Sequence, residues 1–251
     1  MTKTEAYLAD YLLQLGDSAL ILGHRLSEWC GHGPILEQDI ALTNIALDLI
    51  GEARNYLQLA GQMLEKTEDE LAFLRDVFQY KNLLITEQPN QDFAFTMARQ
   101  FYFDVYHFYL CKCLSHSPNE QLAAVARKSL KEVTYHLKFS AEWIIRLGDG
   151  TELSHQKMQD AIQETWTFTG EMLSYSDAEA HLVEVGIIPD LSHIASLWHE
   201  KVGEVLAQAT LKKPVEAFFQ YGGKIGKHTE YLGYILAEMQ FLQRAYPNSN
   251  W

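Results

Sequence analysis

The chain has 251 residues, 47% of them hydrophobic, enough to bury a large core as one big domain or two small ones. Its 20 Lys and Arg against 33 Asp and Glu leave a formal charge of -13 with no basic tract, which argues against a nucleic-acid partner or an anionic membrane surface. No apolar run reaches the length of a membrane span, and the odd set Cys30, Cys111 and Cys113 fits a reduced, cytoplasmic setting better than a disulfide framework or a zinc site.

Apolar residues recur at helical spacing almost from end to end, and no segment alternates with period two, so the expected class is all-α. The first helix is expected from about Thr4 to Cys30, with Tyr7, Leu8, Tyr11, Leu12, Leu15, Ala19, Leu22, Leu26 and Trp29 in one stripe, and GHGP stops it. Pro34 then suits the first position of a second helix running toward Glu65, with Glu37 and Asp39 in its opening turn. Thr67 and Glu70 form a capping box for a shorter helix and loop through LAFLRDVFQYKNLLI to Pro89.

Asn90 is positioned to cap a third long helix, and Ser117, Pro118 and Glu120 supply a cap and a first-turn proline for a fourth, closed by Gly148 and Gly150. Further starts are expected at Ser154 and at Ser176 with Glu179, a stop at Gly186, and breaks at Pro189 and Pro214. About eight helices in a single domain covering 1–251 result. Their length and short connections point to a long four-helix bundle with extra C-terminal helices.

Within such a bundle, a carboxylate-bridged di-iron centre takes one Glu from each of two helices and Glu-x-x-His from each of the others, because i and i+3 share a face. On the second helix Asp48, Glu52 and Asn55 line one face, with the amide of Asn55 where imidazole is needed. On the fourth, in KEVTYHLKFS, Glu132 is followed at i+3 by Tyr135, while His136 sits one residue later, rotated by about 100°. The third offers Asp104 and His107, correctly spaced, where a lone carboxylate is called for. These eight positions look like a degenerate site that binds no metal in this chain; the bland reading of Asp48, Glu52, Asp104, His107, Glu132 and His136, weighed against a working metal site, is a buried polar network neutralised by mutual hydrogen bonds and by Arg or Lys.

The aromatic run FYFDVYHFY (101–109) places rings on nearly every helix face, which reads either as an interface for another helix or as a thick core. The stretch QYGGKIGKHTEYLG is no P-loop, because His228 separates Lys227 from Thr229 and no strand precedes it. Lys224, Lys227 and His228 remain candidates for contact with a phosphate-bearing ligand such as coenzyme A, or with an acidic partner surface.

Three segments, LGDSALILGHRLSEWCGHGPILEQDIALTNIALDLIGEARNYL, FLRDVFQYKNLLITEQPNQDFAFTMARQFYFD and GGKIGKHTEYLGYILAEMQFLQRAYP, resemble the PaaC family of structural subunits of bacterial phenylacetyl-CoA epoxidases, over essentially the whole chain. The resemblance implies a ferritin-like fold and membership of a cytoplasmic multicomponent oxygenase that epoxidises the aromatic ring of phenylacetyl-CoA with O2 and NADPH. It further implies that no cofactor sits in this chain and no catalytic residue is its own. A related ferritin-like subunit would hold the di-iron centre, and a reductase would carry FAD and a 2Fe-2S cluster. The expected partner is that catalytic subunit, or a second copy of the chain when it is alone. The competing readings are an independent di-iron oxygenase or ferroxidase using Glu52, Asp104, His107, Glu132 and His136, and a coenzyme A thioester-binding module using Lys224, Lys227 and His228.

Overall fold

The structure is a computed structural model and describes residues 1–215, 218–247 and 249. Among them there is no strand, and the all-α class expected from the sequence holds. The chain separates into two compact units. The first is built from Met1–Gln88, Ser176–Leu182 and the described residues from Gly222 onward; the second from Pro89–Tyr175 and the described residues of Val183–Tyr221. Each contains the long helices of a ferritin-like helical architecture.

The first unit begins with α1 (Lys3–Ser27) and α2 (Leu36–Leu64), which pack along their lengths. Thr2 and Glu5 close a capping box at the start of α1. Gly16 lies against Leu57 and Gly23 against Ile50, so the two helices run antiparallel. A Cβ on Gly23 would lie 2.9 Å from Ile50 Cγ1 and 3.1 Å from the Ala46 carbonyl, so glycine sets the distance between the helices here. The second helix does not start at Pro34; it starts at Leu36 after an extended Ile35 that offers no side-chain cap.

The predicted box of Thr67 and Glu70 does open α3 (Glu68–Phe73), but the helix then gives way to 3-10 turns at Val77–Gln79 and Leu84–Glu87. The physical reason is Arg75. Its buried guanidinium forms a bidentate pair with Asp17 of α1, and Nη1 also donates to the Gln79 carbonyl at 2.9 Å. Lys81 N donates to the same Asp17 carboxylate at 2.8 Å. A segment held by such side-chain bonds has no need of a helical ladder.

In the second unit α4 (Phe93–Leu114) contacts α5 (Glu120–Gly148), α6 (Glu152–Thr165) and α9 (Leu191–Gln208), with the short α7 (Thr169–Met172) following α6; most of α8 (Asp177–Glu184) belongs to the Ser176–Leu182 segment of the first unit. Three caps fall two or three residues from their expected positions. Asp92 rather than Asn90 caps α4, Asn119 rather than Ser117 caps α5, and Thr151 rather than Ser154 caps α6. Each stretch offers several capping side chains of similar strength, and tertiary contacts choose among them. Ser117, for instance, donates to the Ile187 carbonyl at 2.6 Å instead. Ser176 with Glu179 and the left-handed Gly186 behave as expected around α8.

Phe101, Tyr102, Phe103 and Tyr106 are buried and Phe108 and Tyr109 half-buried, so most of the aromatic run is core. Tyr102 packs against Trp166 and Trp198, and Trp198 Nε1 donates to the Tyr102 carbonyl at 2.9 Å. The chain re-enters the first unit with α10 (Glu230–Met239) and α11 (Phe241–Ala245); α10 touches α1 and both 3-10 turns. No helix among the described residues is long and apolar enough to cross a membrane.

Candidate functional site

A buried polar cluster of the second unit lies between α4 and α5. Asp104 is fully buried, and its two carboxylate oxygens are both engaged: Gln100 Nε2 donates to Oδ1 at 2.6 Å and Ser140 Oγ to Oδ2 at 2.7 Å. Gln100 precedes Asp104 by one turn of α4, and Ser140 follows His136 by one turn of α5, so each lies on the same helical face as its neighbour. Burial pushes the Asp104 carboxyl up to about 6; the adjacent His136, the two hydrogen bonds and His107 pull the other way without restoring an ordinary carboxylate. The Gln100 carbonyl oxygen is buried and accepts no hydrogen bond.

His136 and His107 are both buried, and His107 packs on Phe103 with ring centroids 5.1 Å apart. Cys111, also buried, lies one turn beyond His107. The other positions are less suited to ligation. Tyr135 is about half exposed and its ring turns along the outer face toward Phe139, while Glu132 is half-buried. On α2, Glu52 is buried and Asp48 half-buried, and Asn55 donates its amide to the carbonyl of Gly51 at 2.9 Å within its own helix.

A di-iron centre of the Glu-x-x-His type does not fit these residues. Neither motif position carries an imidazole, and Tyr135 faces outward. Gln100 and Ser140 escaped the sequence reading. Their only signal is a spacing of four residues from Asp104 and from His136, which becomes informative once α4 and α5 are known to face each other.

The Gly/Lys loop is folded inward, in a 3-10 turn Gly223–Ile225 between Gly222, whose φ is positive, and the left-handed Gly226. Gly226 approaches the Phe78 carbonyl so closely that a Cβ would stand 2.3 Å from it. Lys224 Nζ forms a buried bidentate pair with Glu179, at 2.9 and 2.8 Å. The buried imidazole of His228 lies 2.8 Å from Glu87 Oε2 through Nδ1 and 3.0 Å from the Tyr80 carbonyl through Nε2. Of the three candidates for ligand contact, Lys227 is the exposed one.

Comparison with known proteins places this architecture. A 1,2-phenylacetyl-CoA epoxidase subunit from Escherichia coli (strain K12) is 49% identical over 245 residues, which cover 97% of this chain and 99% of that protein. The PaaA_PaaC family model, phenylacetic acid catabolic protein, matches residues 1–251. The chain therefore belongs to the phenylacetic acid catabolic protein family.

Proposed function

We propose that this chain is a non-catalytic structural subunit of a multicomponent phenylacetyl-CoA ring 1,2-epoxidase in aerobic phenylacetate degradation. In this reading it works in the cytoplasm, pairs with a catalytic di-iron subunit and stabilises it. The chemistry belongs to that partner, supplied with electrons by a reductase carrying FAD and a 2Fe-2S cluster. The observation that carries the reading is the state of the di-iron positions: Asn55 and Tyr135 in place of imidazoles, and an Asp104 committed to Gln100 and Ser140. The name of the similar epoxidase subunit supports the setting.

Iron per chain in the protein purified alone from iron-rich medium tests it. The expected value is near zero. About two irons per chain, the di-iron stoichiometry, would overturn the structural reading and favour an independent di-iron oxygenase or ferroxidase.

A further inference from the structure

The loop that resembled a ligand site does something else with its charges. The Glu87 carboxylate accepts four donors: Asn82 Nδ2 at 2.9 Å and His228 Nδ1 at 2.8 Å on Oε2, and the Thr229 amide at 2.6 Å and hydroxyl at 2.8 Å on Oε1. Asn82 and Thr229 supply three donors to the carboxylate apart from the ring, and its remaining lone pair faces Nδ1. A carboxylate–imidazolium pair places the hydrogen between Glu87 and His228 on Nδ1. The other ring nitrogen, Nε2, faces the Tyr80 carbonyl, which can only accept. Two acceptors on opposite edges of one ring require two N–H donors.

We propose that His228 is held as an imidazolium, and that its two N–H groups latch the C-terminal segment carrying α10 onto the turn formed by residues 80–87. Removing one ring proton turns a donor into a lone pair facing an oxygen at about 3 Å, inside a site whose side chains are both buried. The latch then opens, and α10 with its buried Leu232, Ile235 and Leu236 loosens from α1 and the two 3-10 turns.

The surrounding charges are spoken for. Arg25 of α1 donates Nε and Nη2 to the main-chain carbonyl of Glu87, at 3.0 and 2.9 Å, and Nη1 to Glu28. Asp17 of α1 pairs with Arg75, and Lys81 with Asp10. On the C-terminal segment Lys224 pairs with Glu179, while Lys227 and Glu230 are exposed. His228 is thus the cation that answers the Glu87 carboxylate, and the loop is fastened by one prong that ignores neutral pH and one that senses it.

The test uses the full chain labelled with 15N. Long-range proton–nitrogen correlations report whether each ring nitrogen of His228 carries a hydrogen, and amide exchange reports protection of α10, corrected for the intrinsic rate at each pH. Signals are assigned by loss in His228→Gln, or by ring-to-backbone correlations in the wild-type chain should that variant not fold. Both nitrogens are expected to be protonated at about pH 7.5, where an ordinary imidazole is neutral, and protection of α10 is expected to fall about tenfold per pH unit from about pH 6.5, where the released ring titrates, up to the pH at which the latched ring loses its proton, and to level off above it. A ring with one hydrogen at that pH overturns the proposal. So does α10 protection that stays constant between about pH 6.5 and the pH at which the latched ring titrates.

Discussion

At the Asp104 side chain, burial reverses the usual direction in which pH acts on a carboxyl group. Its folded-state value of about 6 stands above the ordinary 3.8, so the folded chain holds this proton more tightly than the unfolded one. The associated stability is fully present below about pH 4 and is lost as pH rises through 6, at most about 3 kcal/mol in all. Asp104→Asn removes the charge and keeps an acceptor for Ser140, and its new amide can donate to the Gln100 carbonyl oxygen that now lacks a partner. The variant should be more stable than wild type at pH 7 by about 1 to 3 kcal/mol and should lose the decline between pH 4 and 6. Urea denaturation at both pH values checks this; equal slopes in the two proteins would contradict the assignment. Asp104, His107 and His136 were legible in the sequence as a polar constellation, because carboxylates and imidazoles at helical spacing stand out. The Ser140 hydroxyl, 36 residues from the carboxylate it serves, carries no such mark.

Among the helices, the α1–α2 pairing rests on the absence of a side chain. Gly23→Val would drive a branched group against Ile50 and the fixed Ala46 carbonyl, and should destabilise the chain by about 2 to 3 kcal/mol. Gly51, exposed in the middle of α2 where an added methyl group would meet nothing within 4 Å, gives the opposite expectation: Gly51→Ala should stabilise by about 0.5 to 1 kcal/mol through helix propensity alone. Denaturation midpoints of the two variants, compared under one condition, separate packing from propensity. The apolar periodicity of α1, α2, α4 and α5 made these long helices readable, since a stripe repeated over many turns outweighs local exceptions. The segment after α3 was less readable, because the Arg75 pair with Asp17 that shapes it joins residues 58 apart. Cap positions failed for a similar reason: Ser117 is as good a cap as Asn119 until Ile187 claims its hydroxyl.

For the whole chain, a formal charge of -13 disfavours self-association through acidic surfaces and suits assembly with a partner that offers other contacts. Purified alone, the chain should support no ring epoxidation with any reductase, and it should co-purify with the catalytic subunit when the two are expressed together. A catalytic subunit equally soluble and active without it would contradict the proposed role. The family resemblance was carried by long quoted segments, so the setting was legible before any geometry; the inward turn of Lys224 and His228 was not, because Glu179 and Glu87 lie 45 and 141 residues away. That construction has a consequence for synthesis. On the ribosome, α1, α2 and the turn bearing Glu87 emerge before Glu179, and the second unit's residues up to Tyr221 emerge before Lys224 and His228, the groups that meet the two carboxylates. The first unit is thus begun before the second and closed after it, and until then its nascent form carries two carboxylates without these partners, which favours an open, chaperone-accessible state.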